Sequence, residues 1–282
     1  MSRIAYVNGQ YVPHQRASVH VEDRGYQFAD GVYEVIAVKD GHLIDLEPHF
    51  DRLKRSLGEL DIDAPMSRQA LTFILKEVVR RNRVRNGIVY LQITRGVAPR
   101  DHQFPVDPSA AVVVTARNAA PKPAQREAGI GVITTPDIRW KRCDIKTVSL
   151  LPNVLAKQKA VAAGAYEAWQ IDEDGNVTEG SATNAWIVTK DGEIVTRHTD
   201  DAILSGVTRL AVLELAKRDG IALIERPFSL EEAKAAKEAF LTSTTSNVMP
   251  VIEIDGSPIG NGHPGTVTRA LSELYERFVA DG

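Results

Sequence analysis

The sequence predicts an α/β (α+β) protein of two domains. A smaller N-terminal α/β domain is expected over residues 1–117, a linker over 118–129 and a larger, β-rich C-terminal domain over 130–282. Three observations carry this expectation. The first third mixes hairpin signals with two amphipathic helical stretches. The segment "NAAPKPAQREAG", Asn118 to Gly129, is rich in Ala and Pro and has no apolar period, as a linker would. Beyond it, short β-branched runs separated by turn dipeptides dominate. At 282 residues the chain is long enough to bury two cores.

The elements follow in order. "IAYV" and "QYVP" flank Asn8-Gly9, a pair suited to a type I′ hairpin turn. "GVYEVIAV" and "HLI" flank Asp40-Gly41 in the same way. Phe50, Leu53, Leu57 and Leu60 fall at helical spacing and predict a helix over 47–60; Leu71, Ile74, Leu75 and Val78 predict another over 67–82. "GIVYLQITRG" and "AAVVVTA" read as strands. After the linker, "IGVITT", "YEAWQI", "NVTEG", "TNAWIVT" and "EIVT" read as strands, with Asp174-Gly175 and Asp191-Gly192 at turns. Helices are expected over 151–163, 207–219 and 265–280. On the first of these Leu151, Val154, Leu155 and Val161 form the apolar stripe, which leaves Lys157 and Lys159 in solvent.

Composition excludes several function classes. An apolar fraction of 43% and a charged fraction of 25% are those of a soluble globular protein. A net charge of −3 supplies no electrostatic footprint for nucleic acid or an anionic membrane. The single cysteine, Cys143, allows no intrachain disulfide and suits a reducing, cytoplasmic compartment. The N-terminal "MSRIAYVNGQ" lacks the apolar core of a signal peptide, and the longest apolar run is too short to span a bilayer. No P-loop and no internal repeat is present in the sequence.

Four segments hold chemistry, and each has a plainer reading beside it. Lys146, in "RCDIKTVSLL", sits between Ile145 and Thr147 at the start of an apolar, β-branched run. It is either a strand-end lysine snorkelling to solvent, the commoner case, or a desolvated amine able to form a Schiff base. Glu179, in "VTEGSATNAWIV", is either an exposed strand-end carboxylate or the partner that keeps a pyridine nitrogen protonated. In "LSGVTRLAVLELAKR" a loop becomes a helix at Ser205-Gly206. The N–H groups of Val207 and Thr208 and the Thr208 hydroxyl would suit a phosphate, or the serine is a simple cap. The hydroxyl cluster "TSTTSN", 242–247, and Arg52 could add to that cup, or be a polar loop and a surface arginine. In "TRGVAPRDHQFP" Arg100 and His102 sit in a Pro-bounded loop and suit a carboxylate, or are a solvated basic loop.

Together these segments resemble one family. "EDRGYQFADGVYEV", "HFDRL", "TRGVAPRDHQFP", "IRWKRCDIK", "VTEGSATNAWIV", "ILSGVTR" and "TSTTSNVMPVIEIDG" occur in the order found in the branched-chain-type, fold-type IV pyridoxal-phosphate aminotransferases. The RGxxPRxHxFP loop is similar to that of the subgroup acting on D-amino acids.

The resemblance implies a fold-type IV architecture with a pseudo-barrel second domain around a cofactor cleft. It implies a pyridoxal 5′-phosphate cofactor and no metal. Lys146 would be the Schiff-base lysine and proton shuttle, and Glu179 would hold the ring nitrogen. Arg52, Val207, Thr208 and Thr244 would bind the phosphate, and Leu204 would pack on the ring. Tyr33, Arg100 and His102 would hold the substrate carboxylate, the last two from the neighbouring subunit of a homodimer. The reaction would be ping-pong transamination between a D-amino acid such as D-alanine or D-glutamate and a 2-oxo acid such as 2-oxoglutarate or pyruvate. The rivals are an L-branched-chain aminotransferase or aminodeoxychorismate lyase of the same fold, and a carrier that binds the cofactor without turnover. One departure is Asp101, an acid where relatives carry a small residue; Ser205 is another, where a longer side chain would be unsurprising.

Overall fold

The computed structural model describes residues 3–120 and 122–281. Met1, Ser2, Pro121 and Gly282, which fall within the expected domain and linker bounds, lie outside the described residues. The chain divides into two compact units. The first runs to Ala120 and takes up Ile145–Ser149 again; the second holds the remainder.

In the first unit β1 (Ile4–Val7) and β2 (Gln10–Pro13) pair with Val7 opposite Gln10. Asn8 and Gly9 between them both have positive φ, 44° and 92°, which is the I′ geometry the dipeptide favours. A short helix α1 (Arg24–Phe28), unforeseen in the sequence, precedes β3 (Gly31–Lys39) and β4 (His42–Leu43). Then come α2 (Leu46–Glu59), α3 (Arg68–Arg81), β5 (Gly87–Thr94) and β6 (Ala111–Asn118). The strands form one sheet in the order β2-β1-β6-β5-β3-β4. The helices cover the face that Val32, Ile36, Val89, Leu91 and Val114 present, with Phe50, Leu53, Leu57, Leu71, Leu75 and Val78 completing the core.

In the second unit, part of the stretch that reads as a linker is helical: α4 (Pro123–Ala128) opens with its proline in the first turn. The order continues β7 (Ile130–Pro136), α5 (Leu151–Ala162), β8 (Glu167–Ile171), β9 (Val177–Gly180), β10 (Asn184–Val188) and β11 (Ile194–Thr196). It ends α6 (Val207–Arg218), β12 (Leu223–Glu225), α7 (Leu230–Ala235), β13 (Glu238–Ser243), β14 (Asn247–Ile254), β15 (Ser257–Pro258) and α8 (Thr266–Asp281). Among the described residues these strands make one sheet, β12-β11-β10-β13-β14-β7-β8-β9, with β15 beside β14. β9, at one end of that order, turns directly into β10 near the other end, with Gly180 N–H donating to Thr183 O at 2.7 Å. The sheet must therefore curl round on itself.

The apolar stripe expected of α5 does not face inward. Leu151, Val154, Leu155 and Val161 are all exposed, between 48% and 69%. The buried face is Ala156 and Ala160, packed against Ala168 of β8. Small side chains let the helix backbone approach the sheet, and the larger residues are left outside. Lys159 is exposed as expected, whereas Lys157 is half-buried, donates to the Tyr166 carbonyl and lies 3.7 Å from Glu167.

Candidate active site

Ile145–Ser149 joins the first unit beside the start of β3. Thr147 pairs with Val32 in an antiparallel bridge; Tyr33 N–H donates to Lys146 O at 3.0 Å and Val148 N–H to Gly31 O at 3.1 Å. Lys146 N–H reaches the Ser56 hydroxyl of α2 at 3.3 Å, and Ile145 is buried in the core. The lysine is thus fastened through its backbone on both sides. Its ammonium lies 4.3 Å from the centre of the Tyr33 ring, and among the described residues no carboxylate pairs with it. Tyr33 itself stacks on Tyr90, 5.6 Å between centroids, on the half-exposed face of the sheet.

The next residue of β3, Glu34, points to the core side and is 1% exposed. A carboxylate there needs partners, and α2 supplies them. Arg52 forks onto it with Nε 2.9 Å and a terminal nitrogen 2.7 Å away, and His49 Nδ1 lies at 2.6 Å. Burial raises the Glu34 carboxyl, but the Arg52 guanidinium and the hydrogen bonds from Arg52 and His49 outweigh it and bring it down to about 2. Burial, together with the nearby Arg52 and Lys146 cations, holds His49 below its ordinary value against the pull of Glu34, so it donates to the carboxylate as a neutral ring. His49, Arg52 and Ser56 thus form a polar row on α2, at spacings of three and four.

The expected carboxylate loop is also in the first unit. Arg100 and His102 are exposed and gather on one ring, Phe28: the guanidinium carbon is 4.7 Å and the imidazole 5.5 Å from its centre. Asp101 is exposed too, and its carboxylate accepts from the Gln103 backbone and side-chain amides. The odd acid therefore shapes the loop.

In the second unit, Glu179 of β9 is buried, and its carboxylate is held on all sides. It accepts from Arg139, from Asn184 Nδ2 at 3.0 Å and from Leu204 N–H at 3.1 Å. Arg139 also forks onto Asp137 and donates to the Ala202 carbonyl. Burial works against the Arg139 cation, but Glu179 and Asp137 outweigh it and hold it firmly protonated. Asn184 spans the group, because it also donates to Leu204 O at 2.9 Å. Gly206, capping α6, sits against the same side chain: a Cβ there would fall 2.1 Å from Asn184 Oδ1. Gly206 has no side chain with which to cap α6, and the N–H groups of Val207 and Thr208 open the helix beside Asn184. Glu179, Leu204, Val207 and Thr208 are thereby brought together.

Thr244 lies at the tip of the β13–β14 hairpin, and no hydrogen bond among the described residues joins it to that group. The hydroxyl cluster around it is divided. Thr242 accepts from Trp186 Nε1 at 2.9 Å, and Ser246 meets Tyr166 OH at 2.7 Å. Burial pushes the Cys143 thiol up to about 12, with Arg139 opposing and Glu179, Asp137 and Asp144 adding to the rise.

Sequence reading missed Glu34, His49, Ser56, Asp137, Arg139 and Asn184. The first had a signal, since a glutamate on the apolar phase of an alternating strand is buried and must be paired. His49 and Ser56 share the helical phase of Arg52. Apart from Asp137, two residues before it, nothing local marks Arg139, because Glu179 and Ala202 lie 40 and 63 residues away.

Known proteins resemble the chain over most of its length. The family described as amino-transferase class IV matches residues 31–254. A D-alanine aminotransferase of Staphylococcus epidermidis is 40% identical over 275 residues, 97% of each chain. One from Bacillus licheniformis is 43% identical over 272 residues, 96% of this chain and 95% of that one. Among solved structures, the T.th. branched-chain amino acid aminotransferase complexed with N-(5′-phosphopyridoxyl)-L-glutamate superimposes with a TM-score of 0.90 at 30% identity, covering 100% of this chain and 95% of that one.

Proposed function

We infer the function from one premise: the chain belongs to the class IV aminotransferases. It is a pyridoxal 5′-phosphate enzyme that transfers the amino group between a D-amino acid and a 2-oxo acid by a ping-pong route. D-Alanine with pyruvate and D-glutamate with 2-oxoglutarate are the expected pairs. The observation that carries the D-amino-acid reading is similarity to D-alanine aminotransferases over 97% of the chain.

The side chains suit this cofactor. A lysine amine without a carboxylate partner, a buried carboxylate paired with an arginine, and a helix start with a glycine cap are the three things it needs. When bound, pyridoxal 5′-phosphate supplies a carbonyl that takes up an amine and a protonated ring that draws electrons from the α-carbon. Lys146 would bind it covalently and carry the α-proton. Glu179 would keep the proton on the ring nitrogen, Leu204 would pack on the ring, and Val207, Thr208, Thr244 and Arg52 would hold the phosphate. Arg52 would do this beside its fork onto Glu34. Tyr33, Arg100 and His102 would orient the substrate carboxylate, which decides the hand of the amino acid once Lys146 sets the face of proton transfer.

Arg100 and His102 would serve the neighbour's site in a homodimer. Support comes from their exposure and from the apolar row on α5, which a second copy would cover. Among the described residues no helix is long and apolar enough to cross a membrane, and with one cysteine a cytoplasmic place fits the chain.

A branched-chain L-aminotransferase is the second reading, favoured by the structural likeness at 30% identity. The half-reactions of the holoenzyme with D-alanine, L-alanine and L-leucine, followed by cofactor absorbance, separate the two. D-Alanine should react fastest. A clear preference for either L-amino acid would remove the D reading and leave the family standing.

A further inference from the structure

A buried ionic cluster beneath the carboxylate loop has no part in the chemistry so far. Asp30 accepts from two arginines at once, Arg24 Nε at 2.8 Å and Arg95 Nε at 2.8 Å. The Arg24 and Arg95 side chains are 4% and 2% exposed. Two guanidiniums taken out of water against one carboxylate are costly unless their remaining N–H groups are satisfied. Backbone carbonyls take several of these groups. Arg95 donates to Leu60 O at 2.6 Å and Asp61 O at 2.9 Å, at the end of α2. Arg24 donates to Asp101 O at 2.7 Å and, more weakly, to Gln103 O at 3.3 Å, the carbonyls on either side of His102. Arg95 also stacks under Phe104, 3.5 Å from the ring centre.

The entry to the loop is tied down as well. Arg24 N–H donates to Gly96 O at 2.8 Å, and Val97 bridges to Asp23. Arg24 therefore grips the loop at its base through its backbone and at its tip through its side chain. Its own helix, α1, carries Phe28, on which Arg100 and His102 rest.

We propose that Arg24, clamped by Asp30, is the positioning residue that sets Arg100 and His102 for a substrate carboxylate. Arg24 touches neither cofactor nor substrate on this account. It replaces the freedom of an exposed, Pro-bounded loop with one arrangement, so that the carboxylate meets a formed site. The proposal rests on the reading of Arg100 and His102 as the carboxylate holders.

The test uses holoenzymes carrying Arg24→Gln, Arg24→Lys and Arg100→Ala, checked for folding by thermal unfolding. Misplacement of a binding group by about 1 Å can cost on the order of 10²-fold. Arg24→Gln should lower kcat/KM for D-alanine by about 10- to 10²-fold, mostly through KM, with cofactor absorbance and affinity unchanged. Arg24→Lys, which keeps a charge but not the fork, should fall between Arg24→Gln and the natural protein, and it decides the matter if Arg24→Gln does not fold. A readout independent of turnover is tryptic cleavage after Arg100 in the cofactor-free protein, which should quicken in both Arg24 variants. Natural cleavage rates or natural KM values in both, beside a raised KM in Arg100→Ala, would overturn the positioning role alone. An unchanged KM in Arg100→Ala would remove the carboxylate reading itself, and the proposal with it.

Discussion

Lys146 in the first unit and Glu179 in the second are held in opposite ways. Lys146 is fixed by its main chain, through the bridge of Thr147 to Val32, the bond from Tyr33 N–H and the bond to Ser56, while its ammonium rests on an aromatic face. Glu179 is fixed by its head group, with Arg139, Asn184 and the Leu204 amide all on the carboxylate. The difference suits the two tasks proposed for them. A group that must form a bond, release it and move a proton needs a free terminus on a rigid base. A group that must keep a charge beside a ring nitrogen needs that charge saturated and immobile.

The largest effect that can break this comparison is at Lys146. Lys146→Ala removes the free terminus and leaves the backbone anchors, so the protein should fold and melt as before. Turnover should fall by more than the 10²–10⁴-fold that proton transfer alone is worth. Steady-state rates beside a melting curve check both halves of that statement. Retained turnover would mean that the amine is only a surface charge.

Glu179→Gln comes next. It keeps a polar group beside Asn184 and Leu204 but removes the charge that faces Arg139. Turnover with D-alanine should drop by about 10²-fold, with cofactor still retained through its phosphate contacts. Measuring kcat together with the absorbance of bound cofactor distinguishes this from simple cofactor loss.

Much of this was legible in the sequence, and the boundary follows physics. The Asn8-Gly9 and Asp40-Gly41 turns, α2, α3 and the strands that flank them are local in origin, set by turn chemistry and apolar period. The second unit was harder. β12 and α7 are short, and β14 pairs not only with β13 but also with β7, far back in the chain. α5 misled because its packing face is alanine, so apolarity pointed to the wrong side. Within the site, Lys146, Glu179 and the start of α6 stood out by local pattern and by resemblance. The groups that hold them did not, because Arg139 meets Glu179 across 40 residues of chain and Ser56 meets Lys146 across 90.

Glu34 sharpens the comparison through acid stability. Its carboxyl is ordinarily near 4.5 and lies at about 2 in the folded protein. The folded state therefore gains stability from Glu34 above about pH 4.5, and that gain is lost as pH falls toward 2. The difference corresponds to about 3 kcal/mol. Urea midpoints from pH 6 to pH 2.5 should fall, and Glu34→Gln should flatten that slope while lowering stability at neutral pH. A variant with the natural acid profile would show that the trio contributes nothing as an ion pair.

The smallest expected effect is at Ser56. Ser56→Ala removes one long hydrogen bond to the Lys146 backbone, worth about 1 kcal/mol. Activity should decline by no more than a few-fold, because the anchors at Val32 and Tyr33 remain.

The most direct test of Lys146 as the reactive amine is the attachment point of the cofactor. The holoenzyme is reduced with borohydride, digested, and its peptides are mapped by mass. The pyridoxyl group is expected on Lys146, within the tryptic peptide that begins at Cys143. Finding it on Lys157 or Lys159 of α5 would contradict the assignment of Lys146, and with it the claim that a backbone-held lysine is the reactive amine.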